Sequence, residues 1–561
     1  MLRRVSRTAR QIFINRTLLL AALLQVAVLT GAWSQSARVA MGNKIMIAAH
    51  PVAAQAGLEV FRKGGNVVDA AVAATYCLGV VESYGSGVGG EGMMVIYQAR
   101  TKTYTVIDFK GISASQASYK TFDFSSVGSW NRSPKAAVVP GAVAGLELAR
   151  EKFGRLNRTM DLQPAIDFAE KGFEVDSTLA LNLKYYRKML EKDAYARQIY
   201  YPGDTIPVVG TLLRNPDYAA TLKEIQRGGA TAFYEGKIAE LIVRDAERHG
   251  GLISAADLKA YQALERKPLR GSYRGFEVVT TPPPCGGMHL IEALNILKYF
   301  DVKQAAFYKG YDLHLLAETF KLVYKDEAAH NGDPAFHPIP AETIISPDYA
   351  FQRMLEIRLG TARHPQQVKP GHVDEQSTTH LSAMDAEGNT VTLTITLSSL
   401  FGTGHTVEGA GFMMNNEMQN FNPDSLHPNG LQHHKRVVTS LIPTILAKNG
   451  QPVYALGTPG GDLIISTVTQ VIVNLLDLGM DLPGAVDSPR IFSTFYQRAL
   501  EMENRFPPQT DSLLKSLGHD LREEKPYQAY FGAVQAVERN PATGRLVGVS
   551  DPRRSGGPAG E

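Results

Sequence analysis

The side chains most suggestive of chemistry are hydroxyl groups repeated along two neighbouring segments. Residues 377–385 (STTHLSAMD) and 390–397 (TVTLTITL) place hydroxyl or imidazole groups at alternate positions, with apolar side chains between them. A two-residue period of this kind predicts two half-buried β-strands, and threonine and valine suit such strands. Between the segments, Ala386, Glu387 and Gly388 predict a three-residue hairpin loop with Gly388 in the left-handed conformation.

This loop sets the register of the predicted hairpin. The facing pairs are Thr378–Thr396, His380–Thr394, Ser382–Thr392 and Met384–Thr390. Side chains directly opposite each other can touch, so one face becomes a wall of hydroxyl groups backed by an apolar face. Threonine is common in strands for structural reasons alone, and the pattern by itself identifies no nucleophile.

A glycine pair precedes a predicted helix further along the chain. Pro459, Gly460, Gly461 and Asp462 lead into an apolar segment, Leu463–Leu476, with Asp462 placed to cap it. Backbone N–H groups at a helix N-terminus can hold an oxyanion. An ordinary capped turn is the alternative interpretation of the same residues.

A second glycine-rich segment, residues 85–92 (GSGVGGEG), fits the G-x-G-x-x-G spacing. A dinucleotide site needs that spacing after a strand and before a helix. Here it follows the predicted helix 66–81 and opens the predicted strand 93–97. We therefore interpret these glycines as places where chain segments approach closely.

The remaining predicted elements are mixed. Residues 162–261 are helix-rich, 269–281 are typical of one strand, and 333–375 are rich in proline and histidine with little periodicity.

Composition excludes several classes of protein. The chain has 561 residues, 44% apolar and 20% charged, with a net charge of +3. This length allows two to four domains, or one large two-layer unit. The charge is too small to favour nucleic acid. Cys77 and Cys285 are too few for a disulfide framework and match no metal spacing, so we expect buried thiols, no metal and no cofactor.

The N-terminus has the layout of a secretory signal. Five arginines precede an apolar run at 18–30, and small residues follow at 31–37. The run is shorter than the roughly 20 residues that span a bilayer, which favours removal over anchoring. We expect residues 1–37 to be the signal, the protein to be periplasmic or extracellular, and no stable membrane span.

Taken together, blocks spread along the chain resemble the gamma-glutamyltranspeptidase (glutathione hydrolase) family. They are AHP at 49–51, GGNVVDAA at 64–71, SGVGGEG at 86–92, VPG at 139–141, PPP at 282–284 with GG at 286–287, GDP at 332–334, TTH at 378–380, NNEM at 415–418, PGG at 459–461 and DPRR at 551–554. The resemblance implies an α+β fold, the four-layer αββα sandwich of N-terminal-nucleophile hydrolases, with helix-rich additions. It also implies self-cleavage between Ser377 and Thr378, into a large subunit (38–377) and a small catalytic subunit (378–561) that form one interwoven domain.

The resemblance further implies roles for individual residues. Thr378 becomes the nucleophile, and its freed α-amine acts as general base. Thr396 hydrogen-bonds that nucleophile, and Gly460 and Gly461 form the oxyanion hole. Two more hydroxyl residues match the pair that holds the substrate carboxylate, Thr439 and Ser440.

Three positions depart from the family pattern. Lys110 replaces the arginine that binds the substrate α-carboxylate, which keeps the charge and loses the bidentate geometry. Asn420 replaces the aspartate that binds the α-ammonium, and an amide is a weaker partner for a cation. Ser398 replaces an asparagine that contacts substrate. Glu417 remains at the neighbouring amino-binding position and could take over the ion pair.

Three functions remain open at this point. The first is hydrolysis or transfer of γ-glutamyl groups from glutathione-like donors to water or amino acceptors, through an ester on Thr378. The second, favoured by the departures, is an acylase for a glutaryl- or oxamate-like amide. The third is an exported binding protein of the same fold that stays uncut. The expected partners are a small-molecule substrate and the two subunits of one precursor.

Overall fold

Two seven-stranded sheets stacked on each other hold the predicted hairpin near their centre. A computed structural model describes residues 36–307, 310–364 and 377–561. Residues 37–561 form one unit. The strands are β1 (Arg38–Gly42), β2 (Ile45–Ala48), β3 (Glu91–Gln98), β4 (Thr103–Phe109), β5 (Phe173–Glu174), β6 (Leu212–Leu213), β7 (Leu264–Arg266), β8 (Leu269–Tyr273), β9 (Phe276–Thr280), β10 (Thr379–Asp385), β11 (Thr390–Thr396), β12 (Thr444–Lys448), β13 (Gln451–Gly457), β14 (Ile491–Phe492), β15 (Ala499–Glu503), β16 (Asp520–Glu524), β17 (Gln535–Arg539), β18 (Leu546–Ser550) and β19 (Ala559–Gly560).

The described chain also contains seventeen α-helices. They are α1 (Pro51–Arg62), α2 (Val67–Val81), α3 (Ala142–Phe153), α4 (Arg158–Lys171), α5 (Ser177–Leu190), α6 (Ala194–Tyr200), α7 (Pro216–Tyr234), α8 (Lys237–His249), α9 (Ala255–Ala260), α10 (Gly287–Leu297), α11 (Val302–Phe307), α12 (Tyr311–His330), α13 (Ala341–Ile344), α14 (Pro347–Leu355), α15 (Leu463–Leu476), α16 (Leu482–Asp487) and α17 (Pro508–Ser516).

The strand order of each large sheet mixes residues from before and after Thr378. One sheet runs β19-β2-β10-β11-β3-β4-β7, and the other runs β1-β18-β17-β13-β12-β9-β8. Neighbouring strands in both sheets are antiparallel. The central strands β10 and β11 lie between β2 and β3, which come from the N-terminal part of the chain.

Helices cover the outer face of each sheet. Helices α1 and α2 pack against the sheet that contains the hairpin, and α10 and α15 pack against the other. Helix α2 is buried along its whole length because its residues are small and apolar, and a capping box of Asn66 and Asp69 fixes its start. The layers are therefore helix, sheet, sheet and helix, which confirms the predicted αββα sandwich.

The hairpin register is confirmed, and the expected half-burial is wrong. Thr394 pairs with His380 and Thr392 with Ser382, and Gly388 has a positive φ of 92°. Every residue of β10 and β11 is nevertheless buried. The apolar face packs against α2, while the hydroxyl face meets the second sheet, where Gly457 lies against the His380 ring.

Other expectations need correction or fall outside the described chain. Residues 269–281 form two strands, β8 and β9, because Arg274 and Gly275 both adopt positive φ and make a tight turn. The segment 333–375, expected to be irregular, contains α13 and α14. Both cysteines are free and buried, as predicted. The predicted signal lies outside the described residues except for its last two positions, and no helix within the described residues is long and apolar enough to cross a membrane.

Candidate active site

Thr378 immediately precedes β10 and faces Thr396 at the end of β11. Its Oγ1 donates a hydrogen bond to Thr396 Oγ1 across 3.1 Å. Thr396 Oγ1 also accepts the Ser398 N–H across 2.8 Å, which fixes its orientation. The pair is buried, with Thr378 only 2% exposed. The hairpin register thus positions one threonine hydroxyl against another, as the sequence predicts.

The backbone at Thr378 is strained. Its φ is 135°, a value that a β-branched residue rarely adopts. A residue held in such a region costs on the order of 1–3 kcal/mol, so the surrounding contacts must enforce it. The Ser377 N–H donates to Ser398 O across 2.9 Å, and Arg554 Nη1 donates to Thr378 O across 2.9 Å. These bonds clamp both sides of the Ser377–Thr378 peptide.

The glycine-rich segment 85–92 supplies the space for this clamp. A Cβ at Gly85 would lie 3.0 Å from Thr379 Oγ1, and a Cβ at Gly90 would lie 2.5 Å from Thr396 O. Since the segment joins α2 to β3, the interpretation as close approach of chain segments is confirmed. The glycines bring the backbone directly against the predicted cleavage point.

A cleft of about 450 Å³ opens beside Thr378. The predicted site residues that line it are Thr378, Thr396, Ser398, Glu417, Asn420, Thr439, Ser440 and Gly461. Lys110 and Gly460 do not line it. Eight of the ten predicted catalytic or binding residues therefore meet at one cavity, although they are spread over more than 60 positions of the chain.

The glycine pair forms a tight turn in front of α15. Gly460 and Gly461 have φ values of 136° and 51°, which favour glycine at both positions. Gly461 lies on the cleft wall, at the positive end of the helix dipole. The capping role expected of Asp462 is wrong, because its side chain makes no cap hydrogen bond. Asp462 itself lines the cleft.

Lys110 lies behind the cleft wall instead of on it. The ammonium group is fully buried, forms an ion pair with Glu91 and donates to Thr439 Oγ1 across 2.9 Å. Burial lowers the pKa of Lys110, while the charge of Glu417 acts in the opposite direction. Lys110 thus contacts Thr439, which lines the cleft, and its direct contact with a substrate carboxylate stays a prediction.

Glu417 is a buried acidic residue on the cleft wall. Asn420 Nδ2 donates to Glu417 Oε2 across 2.7 Å and to Ser398 Oγ across 3.2 Å. Burial raises the pKa of Glu417, and Lys110 and Asn420 partly offset this. Within the described residues, Glu417 Oε1 has no hydrogen-bond partner. The three predicted residues thus form one polar group with an open acceptor.

His380 is the imidazole nearest in sequence to Thr378, and it is a structural group. It bonds Thr394 and Ser382 across 2.9 and 3.0 Å between the sheets. Burial lowers its pKa to about 3, so the ring is neutral at physiological pH. Both ring nitrogens are engaged in the hairpin, which leaves the α-amine as the base expected for the Thr378 hydroxyl.

Two residues near the site had no predicted role. Arg554 belongs to the DPRR block, and its contact with Thr378 spans 176 positions. Glu327, in α12, lines the cleft and accepts a hydrogen bond from Ser440 Oγ across 3.2 Å. The helical pattern of α12 places Glu327 on a helix and gives no signal for its position at the cleft.

The layered sheets, with a clamped threonine at the start of a central strand, define an N-terminal-nucleophile hydrolase fold. A sequence model described as Gamma-glutamyltranspeptidase matches residues 53–561. The chain belongs to the gamma-glutamyltranspeptidase family, which confirms the resemblance of the sequence blocks.

Relatives named for different activities are similar to the chain. Glutathione hydrolase proenzyme of Bacillus subtilis (strain 168) is 35% identical over 547 residues, 93% of this chain and 92% of that protein. Acylase ACY 1 proenzyme of Pseudomonas sp. (strain SE83) is 35% identical over 531 residues, 92% and 94%. The crystal structure of cephalosporin acylase from Bacillus halodurans has a TM-score of 0.85 and 29% identity over 93% of this chain and 97% of that one. Membership in the family therefore does not select the donor.

Proposed function

We propose that this chain is a self-processing threonine amidase that moves an acyl group from an amide donor to water or an amine through an ester on Thr378. The observation that carries the proposal is the clamped Thr378, with its hydroxyl on Thr396, in the same cleft as Gly461. The function comprises one reaction on its own chain and one on the donor, and both use the same oxygen.

The first reaction cuts the chain. Thr378 Oγ1 attacks the carbonyl carbon of Ser377, the C–N bond breaks, and the nitrogen leaves as the α-amine of Thr378. Water then hydrolyses the ester between Ser377 and Thr378. Release of the strained φ at Thr378 favours this step. The N-terminal signal is removed first, on export. The products of the cut are then the subunits 38–377 and 378–561.

The second reaction consumes the donor. The freed α-amine, whose ordinary pKa is about 7.7, takes the proton of Thr378 Oγ1 as this oxygen attacks the donor carbonyl. The oxyanion lies at the glycine turn, where one donor group is typically worth about 2.7–4 kcal/mol of barrier. The leaving amine takes the proton, and water or an acceptor amine then cleaves the acyl ester.

We place a γ-glutamyl group in the cleft as the first donor. Glu417 Oε1 supports this choice, because it is a buried acceptor able to take the α-ammonium of that group. Hydroxyl groups of Thr439 and Ser440 line the same cleft and can contact the α-carboxylate.

An acylase for a glutaryl- or oxamate-like amide is the second candidate. Two contacts favour it. Lys110 is paired with Glu91 behind the wall, and Asn420 has no charge to offer an ammonium group. The similarity to Acylase ACY 1 proenzyme agrees with this candidate.

Purified protein tests the proposal on a denaturing gel. We expect two fragments, the smaller beginning at Thr378 by N-terminal sequencing, and a single uncut chain for Thr378→Ala. Thr390→Ala, at the other end of the same hairpin, is the matched control and should be cut. An uncut wild-type chain that still consumes amides would contradict the mechanism.

A donor panel separates the two candidates. Cut protein is given γ-glutamyl-anilide and glutaryl-anilide, and release of the aniline is followed by absorbance. Preference for the first supports the γ-glutamyl assignment. Consumption of the second alone assigns the chain to the acylases.

A further inference from the structure

The groups expected to hold the donor carboxylate are already engaged with protein partners. Thr439 Oγ1 accepts from Lys110 Nζ, and the charge of Lys110 is balanced by Glu91. Ser440 Oγ donates to Glu327 Oε1 across 3.2 Å. A carboxylate placed beside these two hydroxyl groups would therefore lie next to Glu327, and the described residues that line the cleft include no lysine or arginine.

Glu327 stands in an acidic and aromatic environment. Asp462 faces it from the turn before α15, Tyr496 from the loop before β15, and Glu292 from α10, while Tyr324 lies on its own helix. Burial in the cleft wall and the charge of Asp462 raise the pKa of Glu327 to about 8. The pKa values of both tyrosines and of Glu292 are also raised, chiefly by burial.

The same cleft contains a second carboxyl group that points to a ligand. Glu417 is fully buried, and its Oε1 has no partner among the described residues. The lining of the cleft thus contains two carboxyl groups, Glu417 with an open acceptor and Glu327 beside Ser440.

We infer that Glu327 determines specificity in this cleft: as a neutral acid it donates a hydrogen bond to the donor carboxylate beside Ser440, and as an anion it excludes that carboxylate. This inference rests on the proposed amidase function and applies to a γ-glutamyl or a glutaryl donor alike. Its basis is the direct contact of Ser440 with Glu327 on the cleft wall.

The physical reason is that the contact between Glu327 and the donor carboxylate changes from attractive to repulsive when Glu327 loses its proton. A carboxylic acid O–H is a hydrogen-bond donor, and a bond to a charged acceptor is stronger than a neutral one. An ionised Glu327 offers only acceptors, and two like charges brought together repel. Because the pKa of Glu327 is raised, the cleft should accept a carboxylate at neutral pH and favour donors that end in an uncharged group at alkaline pH.

The test compares two donors on the cut protein. The first is glutaryl-anilide, and the second is its carboxamide counterpart, in which an uncharged amide replaces the carboxylate. Neither donor carries an ammonium group that would titrate. Both react at Thr378, so the ratio of their KM values cancels the titration of the α-amine. KM and kcat are measured at pH 6.5 and pH 9.0.

For wild-type protein we expect the KM ratio of carboxylate to carboxamide donor to rise about tenfold between the two pH values, the change produced by an interaction of about one pKa unit. The kcat ratio should stay flat. In Glu327→Gln the KM ratio should not change with pH, and in Glu327→Asp the pH dependence should return. Glu342→Gln, at an exposed site on α13, should behave as wild type.

Two results would overturn the inference. One is a KM ratio that is flat with pH in wild-type protein, and the other is a ratio that still rises in Glu327→Gln. The proposed function is measured separately, by cutting on the gel and by release of the aniline. Cut, active protein with either of these results refutes the role of Glu327 alone, whereas uncut, inactive protein refutes both.

Discussion

Replacing Thr396 by valine tests the hydroxyl pair at the start of the central strand. Valine keeps the shape of threonine and removes one oxygen. That oxygen accepts two hydrogen bonds, from Thr378 Oγ1 at 3.1 Å and from the Ser398 N–H at 2.8 Å. The change therefore removes the partner that orients the predicted nucleophile, and it leaves a backbone N–H without its acceptor.

The two lost bonds have different consequences. The bond from Thr378 is worth about 0.5–1.5 kcal/mol, so loss of its orienting effect should slow chain cleavage by roughly 2–10-fold. The Ser398 N–H, which is only part-buried beside the cleft, loses its acceptor, at a cost of up to about 1–3 kcal/mol in the free energy of unfolding. Thr396→Ser keeps the oxygen and should cut at close to the wild-type rate.

The assay is the time course of cutting of freshly purified precursor on a denaturing gel, with unfolding by urea measured alongside. Thr392→Val is the matched control, because Thr392 is a buried hydroxyl of the same strand that contacts Ser382 and His380 and not Thr378. If Thr396→Val cuts as fast as wild type while it loses stability, the hydroxyl pair has no part in the reaction.

Two further predictions concern charged groups. Burial lowers the pKa of His405, but its contacts with Asp193 and Asp245 outweigh this effect and raise the pKa to about 9. The folded protein then holds a proton that the unfolded chain, with a pKa of about 6.5, releases, so about 3 kcal/mol of stability present below pH 6.5 should be lost as pH rises through 9. Urea unfolding at pH 6 and pH 10 should show this loss in wild type and not in His405→Gln, and equal losses in both would contradict it. Arg554→Ala should slow cutting before Thr378 by about tenfold, the effect of losing a charged hydrogen bond of roughly 1.5 kcal/mol. Arg554→Lys should cut at an intermediate rate, and the control Arg498→Ala, at an exposed site, should cut as wild type. Normal cutting in Arg554→Ala would show that this contact is dispensable.

The hairpin could be predicted in detail because its signals are local. The alternation of residues and the glycine at 388 set both strand identity and register, and the facing pairs follow from them. The burial of both faces was not predictable in this way. A polar face ordinarily meets water, and here it meets the second sheet, where Gly457 leaves room for the His380 ring.

The site residues also divide into those with a local signal in the sequence and those whose contacts arise only from tertiary packing. Thr378 and Gly461 belong to short blocks that resemble the family, and Thr396 faces Thr378 in the predicted hairpin register. The contact of Ser440 with Glu327 depends on how segments 113 positions apart fold together. The ion pair of Lys110 with Glu91 joins the facing ends of the neighbouring strands β3 and β4. The sequence therefore predicted which residues line the cleft better than it predicted which charged and polar groups pair with each other there.

The position of β10 in the middle of its sheet has a consequence for the life of the molecule. Strands β2 and β11 flank it, and β2 would belong to the other piece once the bond before Thr378 opens. The intact precursor finds this arrangement as a single chain, whereas the separated pieces would have to meet and interleave strand by strand. The mature protein should thus fail to refold after denaturation. On dilution from urea, the refolded fraction should be far higher for the uncut Thr378→Ala chain than for the cut wild type.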